Sequence, residues 1–247
     1  MKISALISSA IMIWGMSQAA YGQAFNSSDK QVNLIELYTS EGCSSCPPAD
    51  HWLSELKGKQ GLWTDFIPVA FHVDYWDYIG WQDPYAHSRH TKRHYRYQEN
   101  NNIRSVYTPA VVFNGSEWPS WRRSDLPDLK KPKAGQLNID IKQDQLTAQY
   151  QTKLPRNQSL VLNIAILGFD LTSKVKKGEN KGRTLKHEFV VLGYRSVAMQ
   201  PSQAGSFDAN NIALPKTVVN STRTALATWV STPKDQTPLQ ATGGWLN

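Results

Sequence analysis

Both cysteines of this 247-residue chain, Cys43 and Cys46, fall in one Cys-x-x-Cys pair, so all of its thiol chemistry is confined to a single turn of chain. The pair lies between an apolar strand pattern, Val32 to Tyr38, and a helix pattern whose apolar face is Trp52, Leu53 and Leu56. Two thiols so spaced at a helix start can close a small disulfide ring, and the first-turn amides stabilise the thiolate that attacks first. Cys43 precedes that turn and is the expected nucleophile; Cys46, one turn in, is the expected resolving thiol. A ring this short removes little entropy from the unfolded chain and is a weak staple for a large domain. An inert disulfide and a soft-metal site, with Cu(I) held by the two thiols, stay open as alternatives.

Other residue types carry weaker signals. Glu36 is an acid in the middle of the apolar strand that leads to Cys43, a place from which a carboxylate could relay the proton of the resolving thiol; a strand carboxylate bonded to a backbone amide is the competing reading. Trp76 and Trp81 stand in an insertion, Asp74 to Tyr85, rich in aromatic and acidic residues. That insertion suits a peptide-binding surface or lid, although such aromatics also seal cores and junctions. His87, His90 and His94 repeat at i, i+3 and i+7 on one helix face, which is ligand spacing, but Arg89, Lys92, Arg93 and Arg96 surround them and oppose a divalent ion. No metal site and no cofactor is therefore assigned.

The elements that must position these residues follow from the pattern. A helix is predicted from Cys43 to about Gly58, with Pro47 and Pro48 tolerated in its first turn. A second strand, Phe66 to Val73, completes a β-α-β unit, hence a parallel pair with a right-handed crossover. Asp83-Pro84 reads as the start of a helix reaching about Asn100. A third strand begins at Ala110, directly after Thr108-Pro109, and runs into the Asn114-Gly115 turn. From Trp118 to Gly135 the chain, rich in Pro, Arg and Lys, reads as a short helix plus linker. Beyond it, Leu137 to Ile141, Gln145 to Gln151, Leu160 to Gly168, Phe189 to Val197 and Thr224 to Val230 read as strands without helical period, which suggests a β-rich, sandwich-like domain.

Met1-Lys2, the apolar stretch Ile3 to Met16 and the small residues around Ala19 to Ala24 read as a secretory signal peptide, too short for a spanning helix. The expected organisation is residues 1–24 signal, 25–130 a first domain and 131–247 a second. Export to the periplasm or outside would place the thiols where disulfides persist. The net charge of +7 is spread too sparsely to suggest a nucleic-acid partner, and no stable membrane insertion is expected once the signal is removed.

The chain resembles the exported bacterial domain-of-unknown-function 1223 family, within the thioredoxin-like superfamily. The resemblance is carried by Glu36 to Ser40 with Gly42 to Pro47, by His72 to Asp77 with Gly80-Trp81 and Asp83-Pro84, by Val106 to Pro109, and by Gly178 to Leu185 with His187 and Val190-Val191. It implies an α/β fold, a thioredoxin-like N-terminal domain joined to the β-rich C-terminal one. It also implies a cis bond at Thr108-Pro109, held against the dithiol, with Thr108 and Pro109 contacting an extended substrate. The expected activity is thiol-disulfide exchange on protein or peptide thiols, with a separate redox partner.

Overall fold

The computed structural model describes residues 22–122, 126–127, 129, 131–202 and 205–247. The signal-peptide expectation lies outside these residues up to position 21. Its boundary at residue 24 falls inside the first strand, β1 (Gln23–Asn26).

The segment that carries the cysteines begins with β2 (Asn33–Thr39), buried at every position, as a strand covered on both faces must be. The crossover helix α1 (Pro47–Glu55) leads to β3 (Phe66–His72), which lies parallel to β2 in the register Asn33↔Phe66 to Thr39↔His72. After α2 (Ser88–Glu99), the strand β4 (Ala110–Phe113) returns antiparallel on the other side of β2 and turns into β5 (Ser116–Glu117).

The described residues from Gln136 onward add the strands β6 (Gln136–Lys142), β7 (Gln145–Gln151), β8 (Leu160–Gly168), β9 (Leu171–Lys174), β10 (Thr184–His187), β11 (Val190–Pro201), β12 (Ser206–Ala213), β13 (Thr224–Ser231) and β14 (Gln240–Trp245). The strand β11 crosses between the two halves. It pairs parallel to β3 at Val190↔Ala70, then antiparallel to β8 and to β12. The result is a mixed sheet of 12 strands running β1-β6-β7-β12-β11-β3-β2-β4-β5, with β8, β13 and β14 branching from β11, while β9 and β10 form a separate ribbon.

This corrects the expected fold class. Among the described residues strands make up 42% and helices 14%, with two α-helices, so the molecule is mostly β-sheet, not an α/β thioredoxin-like domain joined to a sandwich. The physical reason is visible in β8 and β13. Ala165 and Leu167, with Ala225, Ala227 and Trp229, enter the core that also holds Leu34, Leu37 and Phe71. The alternate residues Leu162, Ile164, Ile166, Leu226 and Val230 enter a second core with Leu137, Ile139, Leu146 and Phe207. Because side chains alternate across a strand, these two strands form a layer that both cores share, and the sheet continues through it. Among the described residues no helix is long and apolar enough to cross a membrane.

Candidate functional site

Cys43 and Cys46 are joined in a disulfide at the N-terminus of α1, with Cys46 at the N-cap and Pro47 and Pro48 opening the helix. Cys43 Sγ lies 3.8 Å from the Thr108 carbonyl oxygen and 3.3 Å from Ser45 Oγ. The Thr108-Pro109 bond is cis. A hydroxyl beside the sulfur and the helix amides behind it are the surroundings that favour a thiolate.

Ser44 and Ser45 are exposed, but both sulfurs are covered, with 1% of Cys43 and none of Cys46 accessible. Two segments make the cover. The first is the aromatic insertion: Trp76 Nε1 donates to Thr108 Oγ1 at 2.7 Å and Trp81 Nε1 to Glu41 Oε2 at 2.8 Å. The second is the loop between β9 and β10. Asn180, fully buried, donates from Nδ2 to the carbonyls of Glu41 and Cys43 at 2.8 and 3.0 Å. The Ser44 amide donates to Glu179 Oε2 at 2.9 Å, and the Ser44 hydrogen bonds hold that carboxyl below the usual carboxylate range. Ile79 of the insertion sits between the dithiol loop and the β9–β10 loop, and a Cβ on Gly42 or Gly178 would come within 3.2 or 3.0 Å of its Cδ1. Glycine at both positions is what lets the cover close.

Glu36, expected beneath the dithiol, is placed elsewhere. Its carboxylate accepts from Arg93 Nε at 2.7 Å, Arg93 Nη2 at 2.9 Å, the Tyr38 hydroxyl at 2.9 Å and the Tyr97 hydroxyl. The reason is period 2: Glu36 and Tyr38 point to the sheet face covered by α2, whereas Thr39 points to the face where α1 carries Asp50. The histidine face of α2 does not converge either. His87 caps the helix by accepting from the Arg89 amide, His90 Nδ1 pairs with the His72 carbonyl, and His94 stacks on Tyr38 at 4.0 Å. Burial holds His90 and His94 down to about 3, so both are neutral.

What the sequence reading missed lies on the inner side of α1. Asp50, one turn after Cys46 and on the same face, is buried together with His72 and His187, and one ligand atom of each lies within 4.8 Å of the others. His72 Nδ1 is 2.7 Å from Asp83 Oδ2, and His187 Nε2 is 3.0 Å from Glu41 Oε1. Burial pulls His72 down, but Asp83 outweighs it and carries the ring up to about 9, while His72 keeps Asp83 below its ordinary value despite burial. Burial raises Asp50 against the opposing pull of His187 and His72. Asp83 was expected to start α2; its carboxylate instead accepts from the Glu41 and Tyr85 amides, and the helix begins five residues later at Ser88. The spacing Cys46 to Asp50 at i, i+4 was the available signal. His187 comes from β10, a partner that only the tertiary fold supplies.

The arrangement of a helix-borne disulfide, its cover and the Asp50 cluster spans residues that belong to one family. The family described as protein of unknown function DUF1223 matches residues 34–231, and the chain belongs to it. No curated protein matches. Among solved structures, the protein AGR_C_4864 from Agrobacterium tumefaciens is similar at a TM-score of 0.57 and 22% identity, over 89% of this chain and 94% of that one. HBP35 of Porphyromonas gingivalis is similar at a TM-score of 0.56 and 14% identity, over 89% of this chain and 76% of that one. At these identities the likeness is one of fold.

Proposed function

We propose that this protein is an exported thiol-disulfide oxidoreductase that acts on protein or peptide thiols through Cys43 and Cys46. The observation that carries the reading is the position of Cys43 Sγ, at a helix N-terminus, beside the Ser45 hydroxyl and facing the Thr108 carbonyl. In the oxidised chain a substrate thiolate attacks Cys43 Sγ and Cys46 leaves as a thiolate. A second substrate thiolate then attacks the substrate sulfur of the mixed disulfide, releasing Cys43 as a thiolate and the substrate as a disulfide; the reverse sequence reduces a substrate. In this reading Thr108, Pro109, Trp76 and Trp81 contact the substrate, which enters only when the cover of the aromatic insertion and the Asn180 loop yields. A redox partner resets the pair.

An inert disulfide is the second reading, and the burial of both sulfurs favours it. The two are separated by trapping. A Cys46→Ser chain expressed with its leader should accumulate mixed disulfides with cellular proteins through Cys43, and Cys43→Ser should accumulate none. Absence of adducts on Cys46→Ser supports the inert disulfide.

A further inference from the structure

We propose that Asp50, His72 and His187 form a binding site for one divalent transition-metal ion of the zinc class, with Asp83 and Glu41 orienting the two imidazoles. The argument is one of donors and acceptors. His72 Nδ1 is engaged by the Asp83 carboxylate and His187 Nε2 by the Glu41 carboxylate. A carboxylate accepts, so each bonded ring nitrogen carries a hydrogen and the other nitrogen is the one left to face an ion; Asp83 favours the charged His72 ring, so an ion taken up there displaces the Nε2 proton to solvent. Those other atoms, His72 Nε2 and His187 Nδ1, are buried with no hydrogen-bond partner among the described residues.

One ligand atom from each of the three residues lies within 4.8 Å of the others, and leaving buried polar atoms unpaired costs about 1–3 kcal/mol each. A single cation satisfies them together. Donors around a tetrahedral zinc, at bonds of about 2.0–2.2 Å, sit roughly 3.3 Å apart, so shifts of about 1 Å close the set. Two histidines and a carboxylate, with a water in the fourth position, make a familiar zinc donor set. The carboxylate-histidine pairing behind each ring is the outer shell that such sites use to fix tautomer and orientation. The charge count agrees: Asp50, Asp83 and Glu41 are three buried carboxylates, and among the described residues no lysine or arginine is hydrogen-bonded to any of them.

This site stands apart from the thiols, which the test uses. The chain is stripped with a chelator while Cys43–Cys46 stays oxidised, then titrated with Zn2+ against a chromophoric chelator and with Co2+ by visible absorption. The oxidised wild-type chain should take up one ion. Asp50→Asn and His187→Gln should weaken binding at least tenfold, Glu41→Gln should weaken it by about 10–100-fold, and His51→Ala on the exposed face of α1 should leave it unchanged. Circular dichroism checks that each variant is folded. No stoichiometric uptake by the oxidised wild type, uptake only after the disulfide is reduced, or wild-type affinity in folded Asp50→Asn and His187→Gln overturns the site. A failure to trap substrates on Cys43 leaves all of these outcomes in place.

Discussion

At the scale of single residues, the clearest division of labour is between two buried acids on opposite faces of β2 and its neighbours. Glu36 is held by Arg93, which is 2% exposed and whose guanidinium also lies 5.2 Å from the Trp229 ring and 5.4 Å from the Tyr97 ring. Breaking a buried pair by removing one charge leaves the other uncompensated, at about 3–5 kcal/mol. Glu36→Gln is therefore expected to lower the unfolding free energy by that amount in denaturant melts. The rate at which dithiothreitol opens Cys43–Cys46 should change less than about twofold, because none of the hydrogen bonds of Glu36 goes to the dithiol loop. A large change in that rate without loss of stability would return Glu36 to the site. Asp50, four residues after Cys46, is the second of these acids, buried on the inner side of α1 with His72 and His187.

At the scale of elements, local patterns were legible and long-range pairing was not. The helix after the cysteines, the parallel pair β2–β3 and the strands β6, β7, β8 and β13 were readable from period and turn residues, because propensity and burial there agree. The strands β12 and β14 were not. The first carries Asn210 and Asn211 with a register shift, and the second carries Gly243 and Gly244, where a Cβ on Gly243 would sit 2.2 Å from the Leu226 carbonyl, so close backbone approach outweighs strand propensity. Nor does alternation reveal which sheet edge a strand joins, and this is why β11 binding to β3 was invisible. The same holds for the loop after β9, whose Asn180 closes over the cysteines. Asn180→Ala leaves the Glu41 and Cys43 carbonyls without those bonds and should cost about 1–3 kcal/mol. It should also speed reduction of the disulfide by dithiothreitol, since the cover loosens. An unchanged reduction rate in a destabilised Asn180→Ala chain would show that the loop does not gate the sulfurs.

At the scale of the whole molecule, the sheet that runs through both halves explains why the second half matters to the cysteines. The strand β11 pairs with β3, and the β9–β10 ribbon delivers His187 to the inner side of α1 and Asn180 to its N-terminus. The dithiol is thus built by one half and covered in part by the other. The reduction potential of the Cys43–Cys46 couple, measured in glutathione redox buffers, tests the proposed thiol-disulfide exchange most directly. Dithiol catalysts span about −270 to −120 mV, whereas structural disulfides lie below about −300 mV. The proposed oxidoreductase predicts a midpoint within the first range, and a midpoint below about −300 mV would contradict it.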